Sequence, residues 1–194
     1  MIVNLTEISA AQRHQQVSRH FGDVVSAVGD WDAPSPVDGW AARDVVGHLV
    51  EWFPGFLAGG GVSLPAGPSV VDDPAGAWAA RAAAVQTLLD GPGADADFTH
   101  PMAGTHRLED AIDRFYTADV FMHTWDLAEA AGVAADLDPG YARQLLDGMT
   151  GIEEMLRASG QYGQPVAVPD DADPVTRLAG FIGRDPHWRS SAAE

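Results

Sequence analysis

The sequence predicts an all-α protein, a four-helix bundle with additional C-terminal helices. Apolar residues recur at alternating steps of three and four along several segments, and this spacing places them on one face of a helix. Three of the segments begin with aspartate followed by proline: Asp73-Pro74, Asp138-Pro139 and Asp173-Pro174. Each pair offers a carboxylate cap and a ring that pre-sets the first helical φ. No segment alternates with period two over enough residues to predict a strand.

Two apolar stripes define the first two predicted helices. The first helix covers roughly residues 8–29, and its inward face carries His14, Val17, Phe21, Val24 and Val28. A proline-rich turn, DAPSP, separates it from a second helix that begins near Trp40. The inward face of the second helix carries Val45, His48, Leu49, Trp52 and Phe56. Pro54 lies inside this run, and because proline lacks an N–H, we expect the helix to kink or end there.

The third and fourth helices follow a loop. That loop is rich in glycine and proline and covers about residues 58–71, and the third helix stops at Gly91-Pro92. The fourth helix runs over about 105–131 and ends at Gly132, which suits the left-handed conformation that closes many helices.

The C-terminal part adds a fifth helix and a short last one. The fifth follows Asp138-Pro139 and ends at Gly160, and the last ends near Gly183. The segment PVAVP between them is at most a short extended piece. The sequence contains no repeat and no low-complexity tract, so we treat residues 1–194 as one helical-bundle domain.

The charge of the chain argues against two kinds of partner. It has 11 basic and 28 acidic side chains, a formal net charge of −17 at pH 7. A field of this sign repels phosphate backbones and anionic lipids, so we expect neither a nucleic acid nor a membrane as partner. The acidity itself is typical of a soluble surface and carries no information about catalysis.

The sequence also lacks the signals of membrane insertion and export. No stretch approaches the roughly 20 apolar residues that cross a bilayer. The first residues, MIVNLTEISAAQRH, lack the basic flank and long apolar run of a secretory signal. We therefore expect a cytoplasmic protein.

Polar residues interrupt the apolar stripes of two predicted helices. On the second helix, His48 lies within the stripe and so points inwards. On the fourth, Asp119 and His123 are four residues apart on the inward face, so their side chains lie one above the other. The other members of that face are Leu108, Ile112, Phe115, Met122 and Ala130. Asp126 follows His123 by three residues and borders the same patch.

His48, Asp119 and His123 together predict a metal site. A lone buried carboxylate needs a positive partner, and a divalent cation provides one. Two imidazoles and one carboxylate form a ligand set of catalytic zinc sites, which leave a position for water or substrate. The chain has no cysteine, which rules out thiolate ligands, disulfides and a cysteine nucleophile. With these ligands zinc, nickel, iron and manganese all fit.

Alternatives remain for each of these polar residues. Asp119 and His123 could form an ion pair, with His48 a separate hydrogen-bonded histidine of the core. Asp126 could fix the tautomer of His123, cap backbone groups or pair with an arginine. His14 also lies on an inward stripe, and we interpret it as hydrogen-bonded to a polar neighbour. A two-metal carboxylate centre fits less well, because the Glu-x-x-His pairs of such bundles are missing from the sequence.

Two stretches resemble the signatures of a known family. SPVDGWAARDVVGHLVEW contains a Ser-Pro turn, a tryptophan, an Arg-Asp pair and then His48. DVFMHTWDLAEAAG contains an acidic residue four places before a histidine, here Asp119 and His123, followed by Trp-Asp-Leu-Ala. Both are similar to the DinB-like superfamily, in its mycothiol-dependent maleylpyruvate isomerase branch. The ending LAGFIGRDPHW is similar to the tails of short, single-domain members.

The resemblance implies a DinB-type four-helix bundle with one divalent metal ion at His48, Asp119 and His123. Zinc stands first, with nickel, iron and manganese as the other choices. Enzymes of the superfamily use the metal to hold a low-molecular-weight thiol as its thiolate, which attacks an electrophile. Coordination lowers the pKa of a thiol, in agreement with this chemistry. Asp119 stands where the characterised isomerase is expected to carry a glutamate, so its shorter side chain would shift the metal or favour ligation through one oxygen.

The function we expect is a metal- and thiol-dependent enzyme of the transferase or isomerase type. Its partners would be a thiol such as mycothiol and an electrophilic small molecule, with Trp52, Phe56 and Trp125 as walls of the substrate pocket. A homodimer is compatible with the broad apolar faces of such a bundle.

Two other function classes stay open. One is a non-catalytic metal-binding bundle with a structural, sensing or storage role, in which Glu51 or a residue of another subunit completes the coordination. The other is a helical interaction module without metal.

Overall fold

Four helices packed side by side form the main body of the protein. The computed structural model describes residues 4–158, 160 and 162–189. The first three helices are α1 (Ala10–Ala27), α2 (Ala42–Gly59) and α3 (Pro74–Leu89). Both α1 and α2 pack against α3 and against the fourth helix, so the four close a bundle around a shared apolar core. The prediction of an all-α fold is confirmed.

The fourth helix changes its winding along its length. It begins as α4 (Leu108–Ala111), continues as a π-helical stretch (Ile112–Thr117) and ends as α5 (Ala118–Ala131). Gly132 closes α5 at a φ of +68°, as predicted for a left-handed glycine. A π-helical stretch has wider turns than an α-helix and is frequent at functional sites. Here it stands just before Asp119.

A short hairpin precedes this helix. Strands β1 (Asp97–His100) and β2 (Gly104–Arg107) pair in antiparallel fashion, with Phe98 opposite His106. The prediction that the fourth helix starts near residue 105 is therefore wrong, because residues 104–107 form β2 and the helix begins at Leu108. The strands are four residues long and bury only Phe98, which is too little for a period-two pattern to appear in the sequence.

Three shorter helices follow the bundle. They are α6 (Pro139–Thr150), α7 (Glu153–Ala158) and α8 (Pro174–Phe181). The single predicted fifth helix is thus two helices, divided at Gly151, a residue of low helix propensity. The segment PVAVP is extended without forming a strand, although the Val166 N–H donates to the Gly180 carbonyl at 2.9 Å. α6 packs against α8.

The Asp-Pro pairs begin their helices as predicted. Each aspartate accepts a hydrogen bond of 2.9 to 3.0 Å from a backbone N–H in the first turn that follows. The three aspartates are Asp73, Asp138 and Asp173. Because the proline has no N–H to leave unpaired, the two residues together satisfy the start of α3, α6 and α8.

Pro54 lies inside α2 without ending it. Proline has no N–H to donate to the carbonyl four residues earlier, which belongs to Val50. The Nε–H of Arg81, on α3, donates to that carbonyl at 3.1 Å, and the Tyr116 hydroxyl donates to the neighbouring Leu49 carbonyl at 3.0 Å. Of the two expectations for Pro54, a kink or an end of the helix, the end is wrong, because donors from two other helices support the backbone at this point.

The interior of the bundle is made of large apolar side chains. Six aromatic side chains are buried almost completely: Tyr116, Tyr141, Phe21, Phe53, Phe98 and Phe121. The rings of Phe53 and Tyr116 stack with their centres 4.0 Å apart and so pack α2 against the fourth helix. Within the described ranges, none of the helices combines the length and the hydrophobicity needed to cross a membrane.

The contact at Val50 predicts an energetic coupling between Pro54 and Arg81. Replacing Arg81 by methionine leaves the Val50 carbonyl buried without a donor, which costs about 1–3 kcal/mol. In a Pro54→Ala background the alanine N–H can bond that carbonyl, so Arg81→Met should cost about 1–3 kcal/mol less there. Urea unfolding of the wild type, the two single variants and the double variant measures this coupling.

Arg107 provides the matched control, because its side chain is 52% exposed and lies outside this contact. Arg107→Met should change the free energy of unfolding equally in both backgrounds. If Arg81→Met also has the same effect with and without Pro54, the two residues act independently and the coupling is refuted.

His14 lies inside the bundle on α1. Its side chain is 1% exposed, and its Nδ1 lies 2.8 Å from Oε1 of Gln86 on α3. Its Nε2 has no hydrogen-bond partner among the residues described. The interpretation of His14 as bonded to a polar neighbour is confirmed. Burial lowers the pKa of His14 below its ordinary value of 6.5, although Gln86 and Asp90 favour the charged form.

The neutral, buried imidazole of His14 predicts a loss of stability in acid. As the pH falls through 6.5 the unfolded chain binds a proton at His14, whereas the folded chain does so only at lower pH. The free energy of unfolding therefore decreases as the pH is lowered through this window, by up to about 1.4 kcal/mol per pH unit. His14→Gln should lose less stability than the wild type between about pH 7.5 and about pH 5.5 in guanidinium unfolding. His187→Gln, which replaces an exposed histidine, should behave like the wild type, and identical losses in all three proteins would exclude a role of His14.

Candidate metal centre

His48 on α2 meets Asp119 and His123 on α5. Nε2 of His48 lies 3.1 Å from Oδ2 of Asp119, and Nε2 of His123 lies 3.6 Å from Oδ1 of the same carboxylate. One donor atom from each residue lies within 4.8 Å of the other two. His48 and Asp119 are 71 positions apart in the sequence, so the packing of α2 on α5 creates the cluster.

The distances within the cluster fit a shared metal ion. Donor atoms that bind one tetrahedral ion at about 2.0–2.2 Å lie roughly 3.3–3.6 Å apart. One contact, 3.6 Å, lies at the top of this range and the other, 3.1 Å, just below it; they use different oxygens of Asp119, and all the donor atoms lie within 4.8 Å of one another. Imidazole nitrogen and carboxylate oxygen are ligands that zinc, nickel, iron and manganese accept. The donor set and its spacing thus suit a divalent cation.

The cluster is reached from solvent on its His48 side. The side chain of His48 is 31% exposed, that of Asp119 is 20% exposed and that of His123 is 9% exposed. Glu51, which the non-catalytic alternative offers as a further ligand, is an exposed residue and does not belong to the cluster found among the described residues. The cluster is thus accessible to solvent along its His48 edge.

Asp126 holds the His123 ring from the side opposite the cluster. Its Oδ2 accepts a hydrogen bond from Nδ1 of His123 at 2.8 Å, and its side chain is fully buried. Arg184 donates to both carboxylate oxygens, at 2.7 and 3.0 Å. Two of the roles considered for Asp126, fixing the tautomer and pairing with an arginine, are therefore present together. In a neutral His123 with its proton on Nδ1, the lone pair of Nε2 lies on the Asp119 side, where a metal ion could bind it.

Neighbouring charges shift the pKa values of this group. Burial alone would lower the pKa of His123, but the charge of Asp119 and the hydrogen bond and charge of Asp126 outweigh it and raise this pKa. Burial would likewise raise the pKa of the Asp126 carboxyl, but His123 and Arg184 outweigh it and lower that pKa. An ion pair between Asp119 and a protonated His123 uses the same atoms as a metal site. His48 is part of this group and not a separate core histidine, because it contacts Asp119.

Two indole rings border the cluster. The Trp52 N–H donates to Oδ2 of Asp119 at 3.0 Å, so Trp52 lies beside the cluster, and its role as a wall of the substrate pocket stays a prediction. Trp40 packs against both imidazoles, with ring centres 5.2 Å from His48 and 5.8 Å from His123. The sequence does not predict this position of Trp40, because the residue precedes α2 and belongs to no helical stripe.

The other two expected wall residues lie farther from the cluster. Phe56 packs on Trp52 at 5.8 Å and on His100 of the hairpin at 4.5 Å, measured between ring centres. Trp125 lines a small cavity beside α8, whose lining it shares with Leu178. The assignment of Trp125 to the site is wrong, because two residues turn a helix by about 200° and place it on a different face from His123.

Tyr162, between α7 and α8, is a second residue near the site that the sequence does not predict. Its ring is half-buried against the core. Burial and the charge of Asp119 raise the pKa of its phenol to about 12, while Arg184 and Arg157 oppose this shift. The phenol therefore stays protonated within electrostatic range of Asp119. The residue lies in a loop without periodicity, so no sequence pattern marks it.

The relatives that match most of this chain have no stated activity. No family model matches the chain, and no solved structure matches it. Two uncharacterised proteins from strains of Mycobacterium tuberculosis are each 28% identical to it over 178 residues, which covers 88% of this chain and 95% of the relative. A 2-dehydro-3-deoxyphosphooctonate aldolase of Nitratidesulfovibrio vulgaris is 31% identical over 107 residues, 53% of this chain and 37% of the aldolase.

The cluster predicts about one divalent ion per chain. After incubation with zinc and removal of the excess, elemental analysis of the wild type should find about one ion per chain, and His48→Ala and His123→Ala should each retain at least about tenfold less. His187→Ala removes an exposed histidine and should bind like the wild type. A wild type that takes up neither zinc, nickel nor iron would contradict the metal site and favour the ion pair.

Proposed function

We propose that this protein is a divalent-metal-dependent enzyme of the thiol transferase or isomerase type. The observation that supports this most is the cluster of His48, Asp119 and His123, which is reached from solvent along one edge. Structural zinc sites are almost always closed by four protein ligands, whereas catalytic sites use three and keep a position open. Three donors with an accessible edge agree with the catalytic pattern.

The residues around the cluster favour a single orientation of its ligands. The Trp52 N–H holds the Asp119 carboxylate, and Asp126 holds His123 through Nδ1. Trp40 covers both imidazoles with its ring. Ligands that are oriented before the substrate arrives need little ordering on binding, which favours metal affinity and a defined position for the reacting molecule.

The thiol in this chemistry would come from a small molecule. The chain has no cysteine, so none of its own side chains competes as a thiolate. A divalent ion in this centre would lower the pKa of a thiol that reaches it and supply a nucleophile at neutral pH. The resemblance to the mycothiol-dependent maleylpyruvate isomerase branch of the DinB-like superfamily supports mycothiol, or a thiol like it, as the donor. An electrophilic small molecule is then the acceptor, and zinc is the first metal to test.

The proposed chemistry suits the cytoplasm. Low-molecular-weight thiols are kept reduced there, and a reduced thiol is the form that the reaction consumes. In this setting the protein needs the metal, the thiol and the acceptor as its partners.

A non-catalytic metal-binding bundle is the second candidate, with a structural, sensing or storage role. It is favoured by the origin of the ligands, since His48 comes from α2 whereas Asp119 and His123 come from α5. An ion bound by both helices would join them and stabilise the bundle whether or not it takes part in a reaction.

Turnover with a thiol and an electrophile separates the two candidates. Zinc-loaded wild type should form a thioether from mycothiol and a halogenated or epoxide acceptor. Mass spectrometry of the product measures the rate. The rate should fall by at least about a hundredfold in His123→Ala and after chelation, because the thiol then loses its activation. Glu51→Gln alters an exposed residue outside the cluster and should leave the rate unchanged.

Metal binding without turnover for any thiol tested would contradict the enzyme and support the structural bundle. In that case the midpoint of thermal unfolding should still rise with zinc concentration, as linkage requires of any ligand that binds only the folded chain.

A further inference from the structure

The tail sequence LAGFIGRDPHW supplies no ligand to the cluster, yet it ends α8 in a defined way. Gly183 adopts a φ of +88°. Its N–H donates to the Gly180 carbonyl at 3.1 Å, and the Arg184 N–H donates to the Ala179 carbonyl at 2.9 Å. These two bonds are the pattern of a Schellman motif, in which a left-handed glycine terminates a helix. The chain thereby leaves α8 with Arg184 beside α5.

Backbone contacts fix this turn. A Cβ on Gly183 would lie 2.6 Å from Cα of Gly163, so the close approach and the positive φ both require glycine. Arg157 connects the two segments that meet here, because it donates hydrogen bonds to the carbonyls of Gly163 and Phe181 at 2.6 and 2.5 Å. The Cα of Arg184 is therefore placed by the packing of two chain segments.

Arg184 binds Asp126 through two parallel hydrogen bonds. Its Nε donates to Oδ1 at 2.7 Å and its Nη2 to Oδ2 at 3.0 Å. Its Nη1 is directed at the Ile182 carbonyl, 3.4 Å away. A guanidinium engaged in this way is not a free cation for a substrate anion. Its effect on the site must pass through Asp126.

Asp126 passes that effect on to a ligand of the cluster. The carboxylate is 0% exposed, and besides those from Arg184 its one hydrogen bond among the described residues comes from Nδ1 of His123 at 2.8 Å. An ionised carboxylate only accepts hydrogen bonds, so this contact keeps the proton of His123 on Nδ1 and leaves Nε2 facing Asp119. Hydrogen bonds thus connect Arg184 through Asp126 to His123 of the cluster.

We propose that Arg184 and Asp126 are positioning residues of the metal centre and that the C-terminal segment around α8 belongs to that centre. The inference rests on the proposed metal site and adds a dependence of metal affinity on the tail. Coupling between two sites is reciprocal, so a bound ion must in turn hold the C-terminal segment more firmly against α5. Arg189, five residues on, is 70% exposed and reaches Glu129 at 3.5 Å, so it serves as a control.

Competition with a chromophoric chelator for zinc tests the positioning role. Arg184→Met and Asp126→Asn should each bind zinc about 10–100-fold more weakly than the wild type. Arg184→Lys should recover part of the affinity, because it keeps the charge but lacks the planar fork. Arg189→Met should bind like the wild type. The double variant of Asp126→Asn and Arg184→Met should lose no more zinc affinity than the single variant with the larger loss, because both residues act through one series of contacts.

Hydrogen exchange of the wild-type chain gives a readout that needs no variant. Zinc should slow amide exchange in residues 174–189 as well as in α2 and α5, since the coupling runs in both directions. This measurement still decides the question if Arg184→Met does not fold, because an unpaired buried carboxylate is itself destabilising.

The outcomes separate this inference from the metal site. Zinc binding by the wild type with unchanged affinity in Arg184→Met and Asp126→Asn, or with no slowing of exchange in 174–189, would overturn the positioning role and leave the metal site in place. A wild type without affinity for zinc would overturn both.

Discussion

Two carboxylates on the inward face of α5 must be compensated before the bundle can close. Asp126 is 0% exposed and Asp119 is 20% exposed, and an uncompensated buried carboxylate destabilises a fold by several kcal/mol, roughly 3–5 when a partner is removed. Asp126 is compensated by Arg184 and His123, and Asp119 by His48 and His123. One imidazole thus serves both carboxylates. It joins α2, α5 and the C-terminal segment at a single point.

The bundle supplies the rigidity that this arrangement needs. His48 and Trp52 contact Asp119 from successive turns of α2, so α2 must run straight enough to present both to α5. Pro54 stands just beyond them and removes one hydrogen bond from the helix. Arg81 replaces that bond from α3, and the stacking of Phe53 on the fourth helix fills the space around it. Packing far from the cluster therefore keeps its two halves aligned.

Periodicity and capping chemistry predict most of the fold and the candidate ligands, because both depend on residues close in sequence. Asp119 and His123 share a face in any α-helix, and His48 lies in another inward stripe. Tertiary contacts decide what the sequence does not show. Arg184 follows Asp126 by 58 residues, and no sequence pattern predicts that the two residues pair. Pro54 breaks a local rule that donors from other helices then satisfy, and the hairpin is too short for alternation to be visible.

The separation of Arg184 from Asp126 has a consequence for the time course of synthesis. The 58 residues between them take roughly 3–12 seconds to add at about 5–20 residues per second. During that interval Asp126 has no guanidinium partner, although His123 on the same helix can already bond it. Burying Asp126 before Arg184 is synthesised therefore costs free energy. We expect the surroundings of Asp126 to be completed only after α8 and Arg184 have been added to the chain.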